Sequence, residues 1–119
     1  MPGALAQLRQ LQGEQHVRTM IRFKFPVDPG NELMRKGKVG KVFEQLMADL
    51  KPEAAYLYPE GGERGGIMVF DMQDASEVAG VVERFSFGLH AKVELMPVMN
   101  PDDLQKALAG IEDIVKNYT

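Results

Sequence analysis

The sequence contains no cysteine. Disulfides, thiolate zinc sites, iron–sulfur clusters and cysteine nucleophiles are therefore excluded, and the composition fits a reducing cytosol. Histidine is scarce: His16 and His90 are the only two, and neither sits in a metal-ligand spacing. With no cluster of ligating side chains, the expectation is no metal and no cofactor. No apolar run approaches the roughly 20 residues that span a bilayer. Met1–Gln15 lacks the apolar core of a secretory signal, since Gln and Arg recur through it. Excess positive charge is also missing. The net charge is −3, whereas general nucleic-acid binding wants a basic face. A soluble, cytoplasmic protein without nucleic-acid or membrane partners is expected.

Two further signatures are absent. Gly61, Gly62, Gly65 and Gly66 resemble a dinucleotide fingerprint only superficially, because a strand rather than a helix follows them. Arg35–Lys41 is the most basic stretch and leads into a helix N-terminus, which attracts anions. It lacks the P-loop spacing, and a solvated loop accounts for it equally well. Neither internal repeats nor low-complexity tracts occur.

What is present suits one domain. The chain has 119 residues, 45% apolar and 26% charged, ordinary values for a globular protein. A chain this short buries only about 65% of its unfolded surface, so a partner subunit would help.

Alternation and helical spacing then divide the chain. Leu5, Leu8 and Leu11 suggest a short helix within an extension, residues 1–16. Val17–Phe25 alternates closely: Val17, Thr19, Ile21, Phe23 and Phe25 on one side, Arg18, Met20, Arg22 and Lys24 on the other. That pattern is a strand with one buried face. Pro26, Pro29 and Gly30 read as the turn that stops it. Val39, Val42, Phe43, Leu46, Met47 and Leu50 mark an amphipathic helix over 39–50, closed by Pro52. Residues 54–59 and 67–72 read as two strands joined by the glycine-rich loop. Asp74 and Glu77 open a second helix in the manner of a capping box, and Gly88 reads as following its end. Residues 91–98 alternate again as a fourth strand, with Pro97 suited to its end. Asn100 and Pro101 start a last helix, whose apolar stripe is Leu104, Leu108, Ile111, Val115 and Tyr118.

The order strand, helix, strand, strand, helix, strand predicts an α+β fold of ferredoxin-like βαββαβ build. Its four-stranded antiparallel sheet should run 4-1-3-2, with both middle helices on one face and additional N- and C-terminal helices. The domain proper is 17–99, and 100–119 is a C-terminal helix packing on it or on a partner subunit.

Such a sheet leaves its second face open. The expected occupants of that face are Met20, Arg22 and Lys24, then Lys92, Glu94 and Met96, and on the third strand Met68, Phe70 and Met72. Ile67 and Val69 are assigned to the helices, with Asp71 released to solvent at the strand end, because burying it charged and unpaired would be costly. Large apolar groups mixed with charges mark an interface or ligand site. The expectation is a homodimer through this face, with the last helix or the N-terminal arm bracing the partner.

Four segments carry a further likeness: Phe25–Asn31, Leu50–Tyr56, Phe70–Met72 with Asp74–Ser76, and Pro97–Met99 before Pro101–Leu104. On these the stretch from Arg18 to Leu108 is similar to an uncharacterised family of small bacterial proteins. The resemblance implies the ferredoxin-like fold and dimeric α/β-barrel assembly, and it implies no activity.

Candidate chemistry is sparse. His90, before the fourth strand, reads as a general base, the role histidine most often fills, or as an ordinary loop histidine. His16 reads more simply as the latter. Arg22 could clamp a carboxylate or phosphate and Glu94 could move a proton, with Lys24 beside them, or the set is a cross-strand ion-pair network inside a dimer. Tyr56 and Tyr58 line a pocket for an aromatic ligand or are packing residues with wet hydroxyls. Two functions follow. One is a non-catalytic protein that binds a small organic molecule or serves as an accessory. The other is a cofactor-independent isomerase, cyclase or monooxygenase acting on a small organic acid or aromatic.

Overall fold

The computed structural model of the chain describes residues 16–119. The expected helix near Leu5–Leu11 lies outside the described residues.

Strand β1 spans Val17–Phe25. Its inward residues Ile21, Phe23 and Phe25 are buried and its outward residues are not, as the alternation requires. Helix α1, Val27–Arg35, follows at once. This corrects the reading of Pro26–Gly30 as a turn. Pro26 occupies the N-cap in extended conformation, and Pro29 falls in the first turn, where no intrahelical donor is lost. The backbone N–H of Gly30 donates to the Pro26 carbonyl at 2.9 Å. Gly30 is buried because α1 lies close: a Cβ there would stand 2.8 Å from the Arg64 guanidinium and 3.1 Å from the Phe25 ring.

Helix α2, Lys38–Leu50, ends on Lys51 in the left-handed region ahead of Pro52. Strands β2, Ala54–Glu60, and β3, Glu63–Met72, form a hairpin. Gly61 and Gly62 both have positive φ, which a two-residue turn matching strand twist demands. Gly65 and Gly66 therefore belong to β3, not to the loop. At Gly66 a Cβ would meet the Tyr56 carbonyl at 2.3 Å, so the close approach of β2 requires glycine.

Helix α3, Glu77–Leu89, carries Gly88 inside it and ends on His90 at φ 54°. The Asp74 carboxylate accepts from Ser76 N–H, and Glu77 reaches back to Gln73 N–H. This corrects the capping-box reading: Ser76 is the N-cap and makes no side-chain cap bond, Glu77 is the first helical residue, and the two bonds join four different residues. Strand β4 is Lys92–Pro97. Helix α4, Pro101–Tyr118, begins with a full capping box: Asn100 Oδ1 accepts from Asp103 N–H at 2.8 Å, and Asp103 Oδ2 accepts from Asn100 N–H at 3.0 Å.

The sheet is antiparallel with order β2-β3-β1-β4, which counted from the β4 edge is 4-1-3-2. The core lies on one of its faces. Ile21, Phe23, Phe25, Met68 and Phe70 meet Leu46 of α2 and Val81, Phe85 and Leu89 of α3. Phe23 stacks at a tilt on Phe85, with ring centroids 5.0 Å apart, within the range of favourable aromatic pairs.

The register overturns one face assignment. Directly paired residues share a face, and β1 pairs with β3 as Ile21 to Met68 and Thr19 to Phe70. Met68 and Phe70 are thus buried under the helices, and Ile67, Val69 and Asp71 belong to the uncovered face. Asp71 is exposed there opposite Arg18, so its charge never needed burial at all.

Helix α4 differs from the other three in that none of its residues is buried. Its apolar stripe runs from 40% exposed at Ile111 to 84% at Tyr118. No described helix is long and apolar enough to cross a membrane.

Candidate functional site

The register sets out the uncovered face as rows across β2, β3, β1 and β4. The first row is Ala54, Val69, Met20 and Met96; the second is Tyr56, Ile67, Arg22 and Glu94; the third is Tyr58, Gly65, Lys24 and Lys92. An apolar band thus grades into a charged one along the strands. Each residue is where it is because β1 and β4 alternate faces along their length, so one register fixes both.

The charged end holds an open groove of about 450 Å³, lined by Arg22, Lys24, Glu60, Lys92 and Glu94 and floored by the backbone near Phe23 and Val93. Arg22 Nη2 donates to Glu60 Oε1. That bond reaches from β1 to β2 over β3, where Gly65 puts no side chain in the way. The hydrogen bond from Arg22 to Glu60 raises the Arg22 pKa above its ordinary value, with the Glu60 charge and then the Tyr58 phenol adding to it. Arg22 is a permanent cation here, already engaged. Lys24 Nζ lies 3.9 Å from Glu63.

Of the residues singled out from sequence, Arg22, Lys24 and Glu94 come together in this groove. Tyr56 and Tyr58 stand on the same face at the β2 edge, Tyr56 mostly exposed and Tyr58 half-buried. His90 does not join them: it is the exposed left-handed cap of α3. His16 is exposed before β1, with Nδ1 4.0 Å from Asp71. The basic stretch Arg35–Lys41 straddles the junction of α1 and α2, exposed except for half-buried Val39. Among the described residues no group of three or more His, Asp or Glu is placed to hold a metal ion.

Sequence reasoning did not single out Glu60 or Lys92 as site residues. Glu60 is the last residue before the turn glycines, and only the tertiary register shows it reaching Arg22. Lys92 was legible as an outward residue of β4, but its direct partner Lys24 follows from the β1–β4 register.

A second, smaller depression of about 190 Å³ lies between α2, α3 and the end of β3, where Asp49 and Arg84 pair beside Asp71 and Glu77. Arg84 Nε donates to Asp49 Oδ2 at 3.0 Å and Gln45 Nε2 to Oδ1 at 2.8 Å. No protein-family model matches the chain, and comparison with curated proteins gives no match.

Proposed function

We propose that the protein is a homodimer of the dimeric α/β-barrel type, built from ferredoxin-like subunits, and that it binds a small organic molecule without transforming it. The observation that carries this reading is the uncovered sheet face. Met20, Ile67, Val69 and Met96 form a contiguous half-buried apolar band, the kind of surface that marks an interface or ligand site, and the groove of about 450 Å³ adjoins it.

Area argues for a second copy and for a part played by α4. Four strands about 4.8 Å apart and six residues long present roughly 400 Å² in projection. A standard interface buries about 800 Å² per partner. Helix α4, 18 residues long, is about 27 Å by 10 Å, and its unburied apolar stripe supplies most of the shortfall. A facing sheet would also close the open side of the groove, as ligand sites require.

Light scattering at micromolar concentration tests the reading. Twice the chain mass is expected, falling to one for Ile67→Lys, which puts a charge in the apolar band without touching the core. A monomeric wild-type protein overturns it.

A second reading, a cofactor-independent isomerase, cyclase or monooxygenase, draws on Arg22 and Glu94 lying directly opposite in the groove. An anion clamp beside a carboxylate base is a workable pair, although other hosts of such chemistry in this architecture are fold analogy. Turnover of a bound ligand, abolished by Glu94→Gln with binding retained, would select it.

A further inference from the structure

Lys24 and Lys92 are direct partners in the β1–β4 ladder. Side chains in that relation have Cβ atoms about 5 Å apart, and like charges there are destabilising. Two lysine side chains therefore rise from adjacent positions on the uncovered face, with the Lys24 ammonium turned toward Glu63 at 3.9 Å. A local conflict of this kind persists where a functional gain offsets it. The neighbouring carboxylates offset it only on the Lys24 side. Glu60 is engaged by Arg22. Glu63 approaches Lys24 only to 3.9 Å. Among the described residues no ion pair includes Lys92. Both lysines line the groove.

We propose that the groove binds a small organic anion whose carboxylate or phosphate group sits between Lys24 and Lys92; the proposal rests on reading this face as a ligand site. An anion there turns the repulsion into two charge-assisted hydrogen bonds. The adjacent row fixes a second feature of the ligand. Glu94 is two residues from Lys92 on the same face, about 7 Å along the strand. Its carboxylate accepts from a donor, so the ligand carries a hydroxyl or amine at about that distance from its anionic group. On the other side, Gly65 lies between Tyr58 and Lys24, and the Arg22–Glu60 bond that passes over it bounds the groove there.

Thermal unfolding of the full chain provides the test, with inorganic phosphate, glycerol 3-phosphate and malate as probes and KCl matching ionic strength. A saturable rise in Tm with at least one probe, absent with KCl, is expected, since binding to the native state stabilises it. Response to malate alone assigns the carboxylate; response to the phosphate probes alone assigns the phosphate. Lys24→Gln and Lys92→Gln should each weaken binding about tenfold or more. Lys92→Glu should abolish the response while raising the Tm of the ligand-free protein, because it replaces a repulsive cross-strand pair by an attractive one. Flat responses to every probe, or unchanged responses in both glutamine variants, overturn the proposal. Phenol run in parallel separates the two levels: protection by phenol with inert anions removes the anion and leaves the small-molecule reading standing.

Discussion

The guanidinium of Arg18 on β1 donates from Nη1 to Asp103 Oδ2 at 2.9 Å, which ties the start of α4 to the sheet. Its Nε donates to Glu53 at 2.5 Å, just ahead of β2. The hydrogen bond to Glu53 raises the Arg18 pKa above its ordinary value against a smaller opposing effect of burial, and the charges of Glu53, Asp103 and Asp71 add to the rise. One permanent cation thus fastens the approach to β2, strand β1 and helix α4.

Because α4 buries nothing of its own, this clasp and the capping box should dominate its attachment. Asn100→Ala removes one cap bond, worth about 1 kcal/mol of helix stability. Arg18→Ala removes the tether. Hydrogen exchange should show faster exchange of α4 amides in both variants, with β1 and β3 amides unchanged. Equal losses in the sheet would mean that α4 and the sheet unfold as one unit.

Two helical glycines should respond in opposite directions to the same change. A Cβ at Gly88 would lie 2.8 Å from Val42 Cγ1, whereas at Gly110 it would meet nothing within 4 Å. Val42 is a β-branched helical residue with little rotamer freedom, so Gly88→Ala forces α2 and α3 apart. Overpacking of that sort costs about 1–3 kcal/mol, against a helix-propensity gain of about 1 kcal/mol. A net loss is expected in urea unfolding. Gly110→Ala has only the gain, visible as higher helicity by circular dichroism.

Two phenylalanines on α3 make the matching comparison for the core. Phe85 is wholly buried against Phe23, and Phe87 is 81% exposed. Phe85→Ala should cost about 3–5 kcal/mol, and Phe87→Ala should stay within about 0.5 kcal/mol. A large cost at Phe87 in urea unfolding would instead locate a contact that a second copy supplies.

How far the sequence revealed this architecture follows from the physics of each segment. In β1, Val17, Thr19, Ile21, Phe23 and Phe25 alternate with three cations and Met20, so face and strand are both legible before any partner is known. The same holds for β4, and Arg22, Lys24 and Glu94 could be placed on one face from alternation alone. In β3 both faces are apolar: Ile67 and Val69 compete with Met68 and Phe70, and composition cannot choose. Only the pairing of Ile21 with Met68 decides, and the choice made from hydrophobicity was inverted. Helix α1 was hidden because two prolines and a glycine in five residues look like a turn. A helix N-terminus tolerates proline for the same reason that it needs caps: its first N–H groups have no partner. The Arg22–Glu60 bond was illegible because it joins residues two strands apart in the sheet.

Acid should separate the paired from the unpaired carboxylates. The hydrogen bond from Arg84, then that from Gln45, holds the Asp49 carboxyl below its usual range. A depressed folded-state pKa means that the ionised form is the one the fold favours. Its contribution is therefore fully present above the unfolded value of about 3.9 and is lost as pH falls through the folded value. The Tm difference between wild type and Asp49→Asn should be constant from about pH 7 to 5 and shrink toward zero in acid below about pH 4. Both side chains are partly exposed, 29% for Asp49 and 44% for Arg84, so 1 M salt should also diminish it. Asp74, lowered chiefly by the Ser76 N–H, should titrate in the same direction, but its dependence on salt should be weaker, because its partner is a dipole rather than a charge. A difference that widens on acidification would show that Arg84 and Asp49 do not stabilise each other in the folded chain.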